Sequence, residues 1–247
     1  MNDQQRFIFD VQGYLVVENV LSPERVQRMG SDMEAHGVRE PQNNPDQSRF
    51  GGFLQWGEEW RALIDEPRIL PILSELLGPR FRLDHAYGMA MRACGEGGGE
   101  GLHHHAGMFE QGCYYVTHGA KMHNGLIVVS YALTDIEPGM GGFACIPGSH
   151  KALYPVPADW YSVYDNPMVR QVPQKAGDVL IFTESLTHGT MRWQDVERER
   201  RSVLLKYCPH YMQWTHAPLS DEIIGLTERQ KLILQPPYVW QRPTVEA

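Results

Sequence analysis

Gly177-Asp178-Val179-Leu180-Ile181-Phe182-Thr183-Glu184-Ser185-Leu186-Thr187-His188-Gly189 joins a turn glycine, a short apolar run and a histidine in one connected stretch. A brief apolar run bounded by turn signals reads as a buried strand, here Asp178–Phe182. His188 follows it closely. An answering group lies upstream, where the glycine-rich Cys94–Gly101 leads into Leu102-His103-His104-His105. Neutral imidazole is the commonest protein metal ligand. Two histidine clusters far apart in sequence, each beside strand-like segments, suggest a metal held in a β scaffold.

Outward from that stretch, the chain from Phe81 to about Tyr207 reads as strands separated by Gly/Pro turns. Strands are expected at Phe81–Ala93, Asn124–Leu133, Phe143–Ile146, Arg170–Pro173, Thr190–Trp193 and Arg201–Tyr207, besides Asp178–Phe182. Turns fall at Glu137–Gly142, Pro147-Gly148 and Ala176-Gly177. Many short strands with regular turn signals predict a sandwich or barrel, the jelly roll among the options. The part before Phe81 reads as helical with one strand, Gly13–Glu18. Ser22-Pro23-Glu24 offers an N-cap, a first-turn proline and an early acid for a helix ending at Gly37. Residues 38–52 read as a polar loop. Glu66–Leu77 has the helical period and is closed by Gly78. After Pro209, short helices are expected at Ser220–Gly225 and Thr227–Ile233, then a surface tail containing Tyr238 and Trp240. The length of 247 residues favours one domain, with a helical part to about residue 80, a β core over 81–207 and an extension over 208–247.

Composition sets the outer limits. A hydrophobic share of 42% with 21% charged residues belongs to an ordinary globular protein. The net charge of −8 argues against nonspecific binding to nucleic acid or anionic membrane. No run approaches the roughly 18 apolar residues of a membrane span. Met1–Arg6 lacks the basic-then-apolar pattern of a signal peptide. Cys94, Cys113, Cys145 and Cys208 show no CxxC spacing and read as reduced thiols, so a cytoplasmic location is expected. Neither a Gly-x-Ser-x-Gly elbow nor a phosphate-binding glycine loop is present.

The histidines carry the chemistry. On a strand, residues i and i+2 share a face, so His103 and His105 could ligate one metal while His104 points away. His188 lies 83 residues beyond His105, and strand pairing in a jelly roll could return it beside them. The competing reading is that a histidine triplet in a chain with 11 histidines merely caps a turn or sits at the surface. In Pro147-Gly148-Ser149-His150, the histidine reads as a structural residue holding its turn.

Four segments, in order, resemble the phytanoyl-CoA dioxygenase family of iron(II)/2-oxoglutarate oxygenases. Phe9–Ser22 is similar to that family's opening helix and strand. Gly141–Lys151 is similar to its turn before Pro-Gly-Ser-His. Lys175–Phe182 with Leu186–Gly189 resembles its distal-histidine strand, and Arg200–Tyr207 the strand whose arginine binds the cosubstrate carboxylate. The resemblance implies a mainly β fold, a double-stranded β-helix (jelly roll, cupin-like) with flanking N-terminal α-helices. It implies Fe(2+) and 2-oxoglutarate as cofactors, molecular oxygen and a small organic substrate as partners, and hydroxylation or related C–H oxidation as the reaction. The oligomeric state stays open.

The family's metal motif, His-x-Asp and a much later His, is not kept here, because no acid stands two residues after any histidine of the triplet. A three-histidine set, His103, His105 and His188, is expected. The alternatives are a vacancy in the register His104-His105-Ala106, as in halogenase-like oxygenases, and an acid from elsewhere such as Glu110 or Glu184. A neutral imidazole in place of a carboxylate would raise the site's net charge by one. By its family position Arg200 takes the distal carboxylate of 2-oxoglutarate, a task suited to a bidentate guanidinium, with Arg201 as the runner-up. Asn124 and Tyr131 are expected to line the barrel mouth, and His85 and Tyr87 to share a strand face. A three-histidine cupin-type enzyme without 2-oxoglutarate and a catalytically silent binding protein are the rivals.

Overall fold

The computed structural model describes residues 1–38, 47–93, 100–103, 112–216, 219 and 223–246. The α-helices among the described residues are α1 (Asp3–Gln12), α2 (Pro23–Ala35), α3 (Glu58–Arg61), α4 (Leu70–Leu77) and α5 (Glu228–Leu234). The strands are β1 (Tyr14–Val17), β2 (Gln47–Phe50), β3 (Phe81–Met91), β4 (Glu100–His103), β5 (Tyr115–His118), β6 (Lys121–Asn124), β7 (Ile127–Ala132), β8 (Gly142–Cys145), β9 (Arg170–Gln171), β10 (Val179–Thr183), β11 (His188–Met191) and β12 (Arg200–Pro209). All pairings are antiparallel. A major sheet runs β1-β10-β7-β12-β3-β2, a minor sheet β4-β11-β8-β9, and β5-β6 form a ribbon.

Period-2 alternation divides the major sheet into two faces. Ile127, Val129 and Tyr131 of β7, Val179 and Ile181 of β10, and Val203, Leu205 and Tyr207 of β12 join one core with the helices. Val128, Leu180 and Phe182 point the other way and meet Phe143 and Cys145 of the minor sheet. The two sheets thus pack face to face as a jelly roll, with helices covering the outer side of the larger one. Leu70, Ile72, Leu73, Leu76 and Leu77 of α4 are all buried there. At about 1.5–3 kcal/mol per side chain, that contact contributes on the order of 10 kcal/mol before the entropy of ordering is subtracted.

Local chemistry sets the element ends. Asn2 and Gln5 form a capping box on α1, and Gly13 closes it at φ +81°. A side chain at Gly13 would collide with the His150 ring, so glycine is required twice over. Ser22 caps α2 ahead of Pro23, as its sequence predicts. The predicted Glu66 start of the next helix is four residues early, for α4 begins at Leu70. Residues 47–50 of the expected loop instead pair with β3 as an edge strand. The predicted helix Ser220–Gly225 falls partly outside the described residues, and its described part, 223–225, is not helical. Among the described residues, no helix is long and apolar enough to cross a membrane.

Candidate active site

His103 ends β4 and His188 begins β11, and the two are direct cross-strand partners. Opposed residues of an antiparallel pair project to one face with their side chains in reach of each other. The ring centroids lie 4.2 Å apart at 63°. On its other side His188 pairs with Cys145 of β8. The turn between β10 and β11 brings in an acid. Glu184 donates its backbone N–H to Leu126 O (2.9 Å), and Leu186 N–H closes the turn on Thr183 O (2.9 Å). Thr187 N–H is held by Ser149 Oγ at 2.8 Å, which gives the Pro-Gly-Ser-His turn a role in placing His188.

His188 Nδ1 lies 2.6 Å from Leu186 O, so it carries the proton and leaves Nε2 with a lone pair. His103 Nδ1 faces Gly101 O at 3.3 Å, a longer contact of the same sense. Backbone carbonyls that fix the tautomer in this way are the usual outer partners of metal-binding imidazoles. His188 packs against Phe182 and Phe143, at centroid distances of 4.8 and 5.6 Å. Burial there holds its pKa down at about 4, against the pull of Glu184, so the ring is neutral at physiological pH. Ligand atoms of His103, Glu184 and His188 all lie within 4.8 Å of one another.

Glu184 does not stand alone. Lys206 Nζ sits 3.1 and 3.0 Å from its two carboxylate oxygens. Burial opposes both charges, yet the pairing overcomes it: Glu184 is shifted to lower pKa and Lys206 to higher. Arg200, Ser202, Leu204 and Lys206 alternate along β12 on the interior face. Arg200 is 5% exposed, with Nη1 3.1 Å from Met91 Sδ. It runs beside Gly142 at the far end of β8, where a Cβ would come within 3.2 Å of Nε. Ser202 Oγ, two residues along, is buried without a hydrogen-bond partner among the described residues. At the other end of β12, His85 and Tyr87 stack at 6.1 Å, with Lys206 Nζ 5.8 Å from the Tyr87 ring.

A family model described as Phytanoyl-CoA dioxygenase (PhyH) matches residues 9–194. The chain belongs to the phytanoyl-CoA dioxygenase family. It is accordingly a non-haem iron(II)/2-oxoglutarate-dependent oxygenase acting on a small molecule. Among curated relatives, the ectoine dioxygenase of Nocardia farcinica is 24% identical over 228 residues, spanning 77% of this chain and 72% of that one. HygX from Streptomyces hygroscopicus, solved with nickel and 2-oxoglutarate, superposes with a TM-score of 0.77 at 23% identity, covering 92% of this chain and 95% of that chain. SnoN, the α-ketoglutarate-dependent epimerase of nogalamycin biosynthesis, gives a TM-score of 0.66 at 19% identity over 99% of this chain and 98% of that chain. These likenesses carry the jelly-roll fold expected from the family.

The structure brings together His103 and His188, and it puts Arg200 on the same interior surface. His105 lies outside the described residues, as do His104, Ala106 and Glu110. Three other expectations need correction. Arg201 points out of the roll, bonding Glu199 Oε2 at 2.9 Å and Glu34 of α2 at 3.3 Å, because it alternates with Arg200. Tyr131 lies on the helix side and donates to Leu63 O at 3.1 Å. Asn124 is turned toward α4 and donates to Leu76 O at 3.1 Å. Neither Tyr131 nor Asn124 lines the mouth of the roll. Lys206 is a site residue that no sequence motif singles out, although period-2 alternation from Arg200 places it inside. Asp178 is a turn residue, accepting from Asn19 N–H and Lys175 N–H at 2.8 and 2.7 Å.

Proposed function

We propose that Nε2 of His103 and Nε2 of His188 hold the iron, and that Arg200 with Ser202 takes the distal carboxylate of 2-oxoglutarate. The observation that carries this reading is the spacing along the minor sheet. His188 is in register with Cys145, and Arg200 lies against Gly142 on the same strand. Three strand residues span about 10 Å, room for a five-carbon dicarboxylate between a metal and a guanidinium. The donor chemistry fits a ferrous ion. Imidazoles with Nδ1–H tied to carbonyls present basic Nε2 atoms, and a buried guanidinium beside an unpartnered hydroxyl suits a carboxylate.

Bound there, iron and 2-oxoglutarate would supply the oxidising power for C–H oxidation of the substrate, with 2-oxoglutarate leaving as succinate. The protein's own part is positional. Phe143 and Phe182 keep water from the His188 side, and Gly142 leaves the space in which Arg200 lies. The substrate side is the opposite end of β12, where His85, Tyr87 and Lys206 offer polar and aromatic contacts. A polar small molecule is the reading this end supports, in keeping with the ectoine of one relative's name and the hygromycin B bound to a structural neighbour. Cys145 and Cys208 are buried thiols outside any disulfide, which supports a reducing, cytoplasmic setting.

Iron-dependent formation of succinate from 2-oxoglutarate tests the proposal. It should occur in the wild type, and Arg200→Ala should raise the KM for 2-oxoglutarate. An unchanged KM in that variant would remove Arg200 from the cosubstrate site. Oxidation of a substrate with no consumption of 2-oxoglutarate would favour a cupin-type three-histidine enzyme instead.

A further inference from the structure

The two imidazoles leave a third protein ligand unassigned, and the sequence offers no acid two residues after His103. Resting on the reading of His103 and His188 as metal ligands, we infer that Glu184 is that third ligand. The carboxylate then reaches the metal from the β10–β11 turn, on the same connection as His188, and not from the strand of the first histidine. Glu184 is 5% exposed and its Oε1 stands 3.9 Å from His188 Nε2. That is too long for a hydrogen bond. Two metal–ligand bonds of about 2.1 Å each reach across such a gap, and small rotations bring the atoms to the closer spacing of neighbouring ligands. The three donors lie within 4.8 Å of one another.

The plainer reading is a buried ion pair with Lys206 that only supports the fold. Burying such a pair gains little over an apolar pair of the same volume, so stability alone gives weak reason for it. A carboxylate has about four lone-pair directions. Lys206 Nζ bridges both oxygens, which leaves Oε1 with a second direction for the side that carries the two imidazoles. The ammonium thus fixes the carboxylate before any metal arrives, as outer partners of metal ligands do. It also cancels the carboxylate's charge. The site therefore has the net charge of three neutral ligands while offering an oxygen donor of the kind iron(II) prefers.

The test is calorimetric titration of the chelator-stripped full chain with Mn2+, with circular dichroism to confirm folding. Glu184→Ala should weaken Mn2+ binding by more than about 100-fold, since even outer partners of ligands are worth about 10–100-fold. Because that variant strands Lys206, the double variant Glu184→Leu/Lys206→Met removes both charges together and should lose the metal equally. His105→Ala should bind Mn2+ as the wild type does. Loss in the His105 and Glu184 variants alike would leave Glu184 a ligand with His105 beside it. Unchanged affinity in the double variant overturns the Glu184 assignment, provided His188→Ala still abolishes binding. Unchanged affinity in His188→Ala overturns the metal-site reading itself.

Discussion

Replacing Lys206 by methionine keeps the length and bulk of the side chain and leaves Glu184 without its counter-charge. The pair is 3.0 Å apart with side-chain exposures of 13% and 7%, so solvent screens it little. Removing one partner of a buried pair costs about 3–5 kcal/mol, and the slight exposure of Lys206 argues for about 3. For a chain of this size each kcal/mol moves Tm by about 2–4 °C, so the metal-free variant should melt about 6–12 °C lower. A divalent cation on Glu184 would restore the missing positive charge. That gain of about 3 kcal/mol exceeds the roughly 1.4–2.7 kcal/mol that losing an outer partner of a metal ligand costs. Thermal unfolding at pH 8, with and without saturating Mn2+, reads this directly. The Mn2+-induced rise in Tm should be larger in Lys206→Met than in the wild type, and the Mn2+ dissociation constant smaller. A variant that melts lower by the same amount with and without Mn2+ would show Lys206 and Glu184 to be a purely structural pair.

The two arginines at the start of β12 should separate cleanly. Loss of a charged hydrogen-bonded pair costs a ligand about 1.5–3 kcal/mol, so Arg200→Ala should raise the KM for 2-oxoglutarate about 10–150-fold. Arg201→Ala should leave it unchanged, and equal effects on both would refute the alternation. Tyr131→Phe should cost about 1 kcal/mol in urea unfolding through the lost bond to Leu63 O, with no change in cosubstrate KM. A raised KM would return Tyr131 to the interior. His150 is held near pKa 4 by burial, with Lys151 adding to the shift, against an unfolded value of about 6.5. Its neutral form is favoured in the fold, so the stabilisation is full above about pH 6.5 and is lost as pH falls toward 4. That amounts to about 3 kcal/mol at most. His150→Asn should flatten the urea midpoint between pH 7.5 and 4.5, and an undiminished slope would remove His150 as a source of acid sensitivity.

What the sequence discloses depends on contrast between neighbouring residues. The strands around Val179–Thr183 and Arg200–Pro209 are legible because apolar runs meet clear turn signals, and Ser22-Pro23 announces α2 by its capping chemistry. β2 is not legible, since Gln47-Ser48-Arg49-Phe50 is a polar edge strand without alternation. The phase of β7 is equally hidden. All six of its residues are buried, so nothing in Ile127–Ala132 tells which side faces the roll, and Tyr131 is misplaced by one pleat. In β12 the family position of Arg200 suggests the phase, and in the structure Arg201 accordingly finds its carboxylates outside while Arg200 stays in the interior. Glu184 was only one acid among several in the sequence. Its distinction comes from a turn that sets it facing His188 Nε2, and turn geometry of that kind has no signature in residue type.

A crystal structure of the full chain with Mn2+ and 2-oxoglutarate tests the central claim most directly. The account predicts the ion bound by Nε2 of His103, Nε2 of His188 and a carboxylate oxygen of Glu184, with the distal carboxylate of 2-oxoglutarate on Arg200. An ion held by His103, His105 and His188, with Glu184 still turned wholly onto Lys206, would contradict it.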